Sequence, residues 1–461
     1  MRGLVVVGGG ISGLAAAWFA ADAGYAVTVL EAAPAIGGKL RVDELAGIPI
    51  DVGAEALLTA RPEGVELLAA AGLDAERIGP RTTAAQVRAN GHNHPLPAKT
   101  MLGIPASVAA VRESGVLSDA GLAAVEAEPT LAPLPPFAED VSVGRLVRDR
   151  MGDEVLDRLV EPLLGGVYAG RVDDLSLRAT MPALAARLEA GGSLTAAAQA
   201  VTDTGARAPS TGPIFTSVRG GLGRLPGVLA RAGRFDVRTG ITVRDIRRTA
   251  AGFALDCAVG ATAEVVEADA VVVAAPPAKA GRLLQSLAPA AAAELSGIES
   301  ASMAIVSFAF EGVSPPPGSG LLVGAGERLA TKAITLTSQK WPVETGRLVM
   351  LRASVGRIGE ARALQLDDDE LVALVQRELA PLLGVDARPV EVRVTRWGGG
   401  LPQYAVGHVE RIARVRAAVA AVPGLAVCGA AFDGVGIPAC IGSARAAIER
   451  LTAAAPVPLG Q

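Results

Sequence analysis

The sequence predicts an α/β fold with a parallel β-sheet, and three observations carry this prediction. An apolar run, Leu4 to Val7, leads directly into the segment Gly8 to Gly13, which reads G-G-G-I-S-G. An Ala-rich helical stretch, Leu14 to Ala23, follows. A second β-rich run, Ala26 to Leu30, then ends in Glu31. A strand, a G-x-G-x-x-G turn, a helix and a strand ending in an acid are typical, in this order, of a Rossmann-like unit.

Each part of this first glycine loop has a physical role in binding a dinucleotide. Gly8 permits the tight turn, Gly10 leaves room for a pyrophosphate, and Gly13 lets the helix pack close to the sheet. The backbone N–H groups at the helix N-terminus then face the phosphates, where the helix dipole favours negative charge. Glu31 stands 18 residues beyond Gly13, where the ribose-binding carboxylate belongs. The sequence therefore predicts a dinucleotide site.

A second loop indicates which dinucleotide binds. Ala32 and the residues after it lead to Gly37-Gly38-Lys39, and the segment Asp51 to Glu55, D-V-G-A-E, follows. An acidic ribose ligand followed by a Gly-Gly-basic loop resembles the flavoprotein oxidases of the amine oxidase and phytoene desaturase superfamily. In those enzymes the basic side chain meets phosphate, and the loop that matches Gly53 passes close to the flavin. This resemblance favours FAD over NAD.

Composition limits the classes of function. The chain has 461 residues, half of them hydrophobic and only 3% aromatic, so a large core must be built from Ala, Val and Leu. A net charge of −4 argues against a nucleic-acid partner, which needs a basic face. No signal peptide and no window of 18 uninterrupted apolar residues is recognisable. We therefore expect no integral membrane segment and a cytoplasmic location.

The few cysteines and histidines predict no metal site. Cys257, Cys428 and Cys440 lack C-x-x-C spacing and fit free thiols in a reducing compartment. His92 and His94 stand close together in a stretch rich in Gly and Pro, but no cysteine or carboxylate cluster joins them. We expect a surface turn there.

Changes of pattern along the chain predict a discontinuous organisation. An amphipathic run from Val143 to Leu164 predicts a helical insertion, and Gly205 to Pro213 predicts a linker. Short apolar runs, Ala270 to Ala275 and Leu425 to Gly429, predict buried strands that return to the nucleotide sheet. The predicted units are a FAD-binding domain in segments 1–75, 216–280 and 391–455, a substrate-binding α+β domain in 76–97 and 281–390, and a helical domain in 98–215.

Further elements follow from local patterns. Strands are predicted near Met303 to Phe310 and near Leu348 to Val355. The acidic run Asp367 to Glu370 predicts a loop that leads into a helix from Leu371 to Leu379, because acids suit the first turn of a helix. A last helix is predicted from Ser443 to Thr452.

Two longer segments carry a closer resemblance. Glu161 to Gly170 reads E-P-L-L-G-G-V-Y-A-G, and Asp433 to Pro438 reads D-G-V-G-I-P. With them, the chain resembles the FAD-dependent protoporphyrinogen/coproporphyrinogen oxidase family of haem biosynthesis, from residue 4 to about residue 452. The resemblance implies removal of six electrons from a cyclic tetrapyrrole, in three rounds of flavin reduction and reoxidation by O2 to H2O2. Flavin N5 accepts the hydride, so we name no catalytic acid or base.

The resemblance also implies a set of cofactor-binding residues. In this family, the residues that match Val243, Trp397 and the segment Val435 to Ile437 contact FAD. The amides before the last helix would face the N1/C2=O edge of the flavin and stabilise the negative charge of reduced flavin. The predicted FAD-binding residues are Gly8, Gly9, Gly10, Ile11, Ser12, Gly13, Glu31, Ala32, Gly38, Lys39, Gly53, Ala54, Glu55, Ala56, Val243, Trp397, Val435, Gly436 and Ile437.

The substrate needs cations for its propionates. Arg61 follows the Gly53 loop and is the predicted substrate-binding residue, because Arg pairs with carboxylate in a planar, bidentate way. Protoporphyrinogen carries two propionates, whereas coproporphyrinogen carries four. Eukaryotic-type protoporphyrinogen oxidases place an Arg on the strand before the loop that matches His94 to Pro97. An ungapped count finds Ala85 there, with Arg88 three residues further on.

The chain therefore resembles the soluble Gram-positive branch of the family, whose members make coproporphyrin III. This resemblance makes coproporphyrinogen III the predicted substrate, with O2 as acceptor and other haem-pathway enzymes as candidate transient partners. Alternatives stay open. A protoporphyrinogen IX oxidase would share these motifs, and a FAD-binding partner protein without turnover would form no peroxide.

Two other oxidase classes share part of the pattern. An amine oxidase would have the same first loop, but it usually shows an aromatic cage near the flavin. Tyr25, Tyr168 and Tyr404 are the only tyrosines here, and Tyr25 lies in the first βαβ unit. A carotenoid desaturase would not explain the segment E-P-L-L-G-G-x-Y-A-G.

Overall fold

A five-stranded parallel sheet lies at the centre of the nucleotide-binding unit. The computed structural model describes residues 2–207 and 213–453. All neighbouring strands of this sheet run parallel. They come from the early, middle and late parts of the chain and lie in the order Asp236–Thr239, Ala26–Glu31, Gly3–Val7, Ala270–Val273 and Leu425–Val427. The predicted α/β fold with a parallel sheet is confirmed.

Helices cover both faces of this sheet. On one face, the helices Ile11–Asp22 and Ile437–Ala453 pack against each other and against the sheet. The other face is covered by the helices Pro277–Leu284, Pro289–Ser296 and His408–Ala420. The central strand Gly3–Val7 alternately contributes side chains to both apolar cores, which explains why almost every residue in it is apolar. Each fully buried Val or Leu there contributes about 1.5–3 kcal/mol of burial free energy.

A seven-stranded mixed sheet forms a second unit. Its strands lie in the order Glu391–Pro402, Ser300–Glu311, Leu348–Val355, Thr331–Thr335, Gly320–Val323, Ala85–Ala89 and His92–Pro95. The helix Asp368–Leu383 packs its apolar side on this sheet. The strands predicted near Met303 to Phe310 and Leu348 to Val355 are confirmed.

A helical unit is inserted between these sheets. Its helices are Val108–Ser114, Asp119–Ala127, Val143–Met151, Asp153–Val155, Gly166–Tyr168, Leu177–Thr180, Pro182–Leu188 and Leu194–Arg207. The amphipathic run predicted from Val143 to Leu164 does not form one helix. Gly152, at φ +83°, ends the first helix, and the chain continues as a π-helix, Leu156–Gly165, which contains Pro162.

Smaller elements connect these units. An antiparallel sheet contains Ile241–Arg248, Phe253–Val259 and Thr262–Ala268, and a second contains Leu57–Leu58, Phe215–Val218 and Arg77–Ile78. Two strand pairs are Val42–Leu45 with Ile48–Asp51 and Thr100–Met101 with Ile104–Pro105. The remaining α-helices are Pro62–Ala70, Leu225–Arg231 and Thr337–Lys340. Within residues 2–207 and 213–453, no helix is both long enough and apolar enough to span a bilayer.

Three local predictions need correction. His92 and His94 lie in an edge strand instead of a turn, because the turn of that hairpin is Asn90-Gly91, where both residues have positive φ. The last helix starts at Ile437, since Pro438 is well tolerated in a first helical turn. The acidic run is not a loop: Asp367 caps the helix, and the acids after it form the first turn.

Two other predictions concern the three cysteines and a linker. Cys257, Cys428 and Cys440 are free and buried, as predicted. The linker predicted from Gly205 to Pro213 lies mostly outside the described residues, and its first positions continue the helix that ends at Arg207. The domain boundaries themselves stay predictions.

Candidate functional site

The first glycine loop joins the central strand Gly3–Val7 to the helix Ile11–Asp22. A Cβ atom at Gly13 would overlap the carbonyl oxygen of Gly8, so no other residue allows the helix to approach the strand this closely. A Cβ at Gly10 would instead meet no atom of the described residues within 4 Å, apart from its own chain neighbours. Gly10 caps the helix without a side-chain hydrogen bond, so the first N–H groups of the helix face this open space. The arrangement of residues 8–13 fits a pyrophosphate.

Glu31 ends the neighbouring strand and is fixed beside the loop. One carboxylate oxygen accepts a hydrogen bond from Gly9 N at 2.6 Å, and the other accepts one from Ala33 N at 2.7 Å. Ala32 lies between these contacts, on the exposed surface. The carboxylate thus stands at the end of the strand, next to the glycine loop, where a ribose hydroxyl would approach.

The second glycine loop packs against the first. Gly37 pairs with Gly10 in a parallel bridge, and its N–H donates to the carbonyl of Gly9 at 2.8 Å. Lys39 is the basic residue for which a phosphate contact was predicted. Its ammonium group instead donates to the carbonyl of Gly400, on the strand Glu391–Pro402. Burial lowers the pKa of Lys39 below its ordinary value.

The segment from Gly53 to Ala56 returns to the second loop. A Cβ at Gly53 would overlap the carbonyl oxygen of Lys39, and Ala54 N donates to that same oxygen at 3.0 Å. These contacts bring Gly53 and Ala54 to the first two glycine loops. Ala56 follows, half-buried, directly before the short strand Leu57–Leu58.

Glu55, predicted to bind FAD, has its carboxylate in an ion-pair triad. Lys340 Nζ lies 2.6 Å from one carboxylate oxygen, and Arg352 Nη1 lies 2.8 Å from the other. Burial alone would raise the pKa of Glu55, but Arg352 and Lys340 outweigh burial and hold that pKa below its ordinary value. Arg352 also donates to the carbonyl of Gly53 at 2.7 Å. The triad thus supports the segment, and only the backbone of Glu55 is left for a cofactor.

Trp397 and Val243 approach the loops from two other strands. The indole N–H of Trp397 donates to the carbonyl of Val52 at 3.1 Å, so its ring lies directly beside Gly53. Val243 is half-buried on the strand Ile241–Arg248. That strand begins beside the segment after Glu31, because Gly240 N donates to the carbonyl of Ala33 at 3.0 Å.

A third glycine loop, residues 429–436, leads into the helix Ile437–Ala453. Because this helix packs along Ile11–Asp22, its N-terminus lies close to the N-terminus of the first helix. The chain just before this loop also lies beside the first helix, because Cys428 Sγ is 3.8 Å from the carbonyl oxygen of Ser12. Among the described residues beyond its own chain neighbours, only Pro438 would come within 4 Å of a Cβ at Gly436, so the backbone there is open to a ligand.

Arg61 stands at the rim of this site. Its guanidinium lies close to Gly434 of the third glycine loop. It contacts Glu63 at 3.3 Å, and its side chain is 46% exposed. A charged group at this position is available to an anionic substrate, although Glu63 already offsets part of its charge.

Several residues that hold these parts of the structure together carry no signal in the sequence. Asp51 accepts hydrogen bonds from Leu222 N at 2.9 Å and Gly223 N at 2.8 Å, and burial raises its pKa to about 6.

The segment Glu161 to Gly170 contains a buried ion pair that its sequence does not predict. Glu161 is buried and pairs with buried Arg357 at 2.7 Å, which joins the helical unit to the seven-stranded sheet. No local sequence signal identifies these partners.

Two cavities lie outside the glycine loops. One of about 340 Å³ is bordered by Asp51, Glu55 and Arg352, behind the Gly53 segment. The other, of about 750 Å³, is bordered by Arg145, Asp173 and further residues of the helical unit. Neither is lined by residues 8–13 or 429–436.

The doubly wound sheet, the open glycine loops and the placed carboxylate together define a dinucleotide-dependent oxidoreductase. The chain belongs to the flavin containing amine oxidoreductase family, whose model matches residues 11–452. It is therefore a flavoenzyme, and FAD is its cofactor. An FAD enzyme must hold the pyrophosphate of its cofactor and leave an open approach to the flavin. The geometry of the three glycine loops fits both requirements.

Similar proteins cover the full length of the chain. A coproporphyrinogen III oxidase from Mycobacterium leprae is 39% identical over 98% of each chain. One from Bacillus subtilis is 32% identical over 97% of each chain. A protoporphyrinogen oxidase from Bos taurus is 28% identical over 99% of each chain.

Solved structures share the architecture. One from Exiguobacterium sp. 255-15, solved under the name of a protoporphyrinogen oxidase, has a TM-score of 0.86 and 31% identity, and the match covers 98% of this chain and 99% of that one. Cyclohexylamine oxidase from Brevibacterium oxydans has a TM-score of 0.69 at 18% identity, over 98% of this chain and 99% of that one. The second likeness shows the fold alone.

Proposed function

We propose that this protein oxidises coproporphyrinogen III to coproporphyrin III. In this reaction six electrons and six protons leave the tetrapyrrole, and three O2 are reduced to three H2O2. The observation that carries the proposal is the near full-length identity of 39% to a coproporphyrinogen III oxidase, compared with 28% to a protoporphyrinogen oxidase. We further propose that the reaction takes place in the cytoplasm and that other haem-pathway enzymes contact the protein transiently.

The chain's own residues bind and orient the reactants in this proposal. When bound, FAD would supply the acceptor for each pair of electrons, with O2 as the final acceptor. The N–H groups at Ile11 and Ser12 would hold the pyrophosphate, and Glu31 would hold the ribose. The amides at Val435 and Gly436 would face the flavin ring at the start of a helix, where negative charge is stabilised. The backbone from Gly53 to Ala56, together with Val243 and Trp397, would line the path between these ends.

Lys39 has a different proposed role from the one predicted. Its ammonium group lies on the carbonyl of Gly400, inside the site, so we propose that it ties the second glycine loop to the strand beside Trp397. A phosphate contact would require this bond to break. The predicted contact of Lys39 with phosphate stays untested.

The environment of Arg88 favours coproporphyrinogen over protoporphyrinogen. The strand Ala85–Ala89 has Ala85 at the position where the eukaryotic-type enzymes place an Arg, and Arg88 is already engaged. Its guanidinium contacts Glu327 at 3.4 Å and Asn93 at 3.3 Å. Arg61, close to the third glycine loop, is our proposed contact for one propionate.

The tyrosines argue against an amine oxidase. Tyr168 and Tyr404 pack against each other, with ring centroids 5.3 Å apart and planes at 49°. Both rings are buried, so this pair leaves no slot between them for an amine. Tyr25 is buried in the core between the parallel sheet and the helix Ile11–Asp22, directly before the start of the strand Ala26–Glu31.

The test is a comparison of two substrates on FAD-loaded protein. Aerobic fluorescence assays with coproporphyrinogen III and protoporphyrinogen IX at matched concentrations should give a kcat/KM at least tenfold larger for coproporphyrinogen. A preference for protoporphyrinogen would refute the substrate assignment and keep the family. Absence of both porphyrin and H2O2 formation, with FAD bound, would favour a partner protein without turnover.

A further inference from the structure

A short junction, residues 403–408, follows the strand Glu391–Pro402 and connects three parts of the molecule. Gln403 N donates to the carbonyl of Glu299, beside the seven-stranded sheet, at 2.9 Å. The Gln403 side-chain amide donates to the carbonyl of Tyr168, in the helical unit, at 2.8 Å. Ser176 N donates to the carbonyl of Tyr404 at 2.8 Å. These hydrogen bonds fix the junction to the seven-stranded sheet on one side and to the helical unit on the other. The side chains of Tyr404 and His408 extend from it to the third glycine loop.

The hydroxyl of Tyr404 holds the third glycine loop at two points. It donates to the carbonyl of Ala430 at 2.7 Å and accepts from the N–H of Gly434 at 2.7 Å. Only 2% of Tyr404 is exposed, so water does not compete for these bonds. The one hydroxyl thus joins residues at the two ends of the bend from Ala430 to Gly434.

His408 supports the same contact. Its ring stacks on the ring of Tyr404, with centroids 4.0 Å apart and planes at 19°. Its Nε2 lies 2.9 Å from the carbonyl of Ala431, one residue beyond the first Tyr404 contact. Two buried side chains of the junction therefore bond three residues of the loop.

Two further anchors of this loop are weaker. Asp433 pairs with Arg416 at 2.6 Å, but about a third of each side chain is exposed, and such pairs contribute little. Gly429 N donates to Ser443 Oγ at a long 3.3 Å. Gly434 has φ +126° and no side chain. Its backbone is therefore restrained mainly by the hydrogen bond from its N–H to the Tyr404 hydroxyl.

We propose that Tyr404 is a positioning residue that fixes the third glycine loop against FAD and thereby sets both FAD affinity and the flavin midpoint potential. The inference rests on the proposed FAD contacts of Val435, Gly436 and Ile437. Amides stabilise charge best when they need not reorganise. Loosening the loop would therefore remove more stabilisation from reduced flavin, which carries negative charge, than from oxidised flavin. The potential would then become more negative, by about 30 mV for each tenfold loss of relative affinity for the reduced form.

The experiment compares Tyr404→Phe with Tyr168→Phe. Both changes remove one hydroxyl from the same stacked pair, but within the described residues the Tyr168 hydroxyl has no hydrogen bond. Apoprotein is titrated with FAD, and midpoint potentials are measured by equilibrium reduction against a reference dye. We expect Tyr404→Phe to bind FAD at least tenfold more weakly and to have a more negative potential. Tyr168→Phe should stay within twofold of wild type in affinity, at an unchanged potential.

A second variant guards against a folding defect in the first. His408→Phe keeps an aromatic ring on Tyr404 but removes the bond to Ala431, so it should shift affinity and potential in the same direction by a smaller amount. Wild-type affinity and potential in both variants would overturn the inference, as would equal shifts in Tyr168→Phe. Neither readout uses a porphyrinogen, so a failed substrate assignment leaves this test intact. A wild-type protein that binds no FAD would overturn both proposals.

Discussion

The buried pair of Glu161 and Arg357 offers the sharpest test of the energetics. Arg357→Met keeps most of the side-chain volume and removes the charge that faces Glu161 at 2.7 Å. Less than a tenth of each residue is exposed, so the remaining carboxylate cannot be rehydrated without disturbing the junction of two units. Removing one partner of such a pair costs about 3–5 kcal/mol of unfolding free energy.

The loss should depend on pH in a defined direction. Burial raises the pKa of Glu161 above its ordinary value, although Arg357 opposes this shift. Without Arg357 the pKa of Glu161 rises further. A carboxyl with a raised folded-state pKa favours folding below its unfolded-state pKa, and this contribution is lost as the pH rises through the folded-state value. The variant should therefore be closest to wild type near pH 5 and least stable near pH 8.

Urea unfolding followed by far-UV circular dichroism measures both effects. The control is Glu161→Gln with Arg357→Met, which leaves no charge at the pair. Its deficit should be smaller than that of Arg357→Met alone at pH 8, and it should not change with pH through this site. An Arg357→Met variant that loses less than about 1 kcal/mol of unfolding free energy at pH 8, or whose deficit is the same at pH 5 and pH 8, would refute the reasoning.

Three further predictions follow from single residues. Gly13→Ala should abolish FAD binding in an apoprotein titration, because its methyl group would overlap the carbonyl oxygen of Gly8; Gly326→Ala, at an exposed glycine with open space and no positive φ, is the control, and equal FAD affinity in Gly13→Ala and wild type would contradict the geometry. Burial lowers the pKa of His408 to about 4, so its contribution to stability is complete above about pH 6.5 and is lost as the pH falls towards 4. This loss amounts to about 3 kcal/mol at most, and the urea midpoint of His408→Phe should show no such component; identical pH profiles would exclude it. Asp367→Ala removes a capping box and should cost about 1 kcal/mol by urea unfolding, whereas Asp369→Ala, which leaves the cap in place, should cost much less; equal losses would contradict the cap.

Local chemistry explains what the sequence could predict. The first glycine loop, its flanking strands and Glu31 lie within one short βαβ unit, so their spacing alone indicates how they fold. The buried strands Ala270–Val273 and Leu425–Val427 are uniformly apolar because both faces of the sheet are covered. The turn at Asn90-Gly91 was equally local, but the surrounding Gly and Pro residues masked a typical hairpin signal.

Contacts between distant residues explain what could not be predicted. Glu55 meets Lys340 and Arg352 from 285 and 297 residues away, and no periodicity relates them. Asp51 likewise caps a turn 171 residues further on, at Leu222. The role of Tyr404 depends on the position of its hydroxyl between two backbone groups, which the residue type alone does not reveal. Tertiary structure decides which of several charged or aromatic side chains supports a cofactor loop.

The order of strands in the parallel sheet has a consequence for biosynthesis. The edge strand Leu425–Val427 and the helix Ile437–Ala453 complete the sheet, and they are synthesised after the other four strands of that sheet. Until then the strand Ala270–Val273 exposes one hydrogen-bonding edge, which invites pairing with other nascent chains. A site with all three glycine loops therefore exists only after this late segment has been synthesised, so the parallel sheet and the cofactor site are completed by the same stretch of chain.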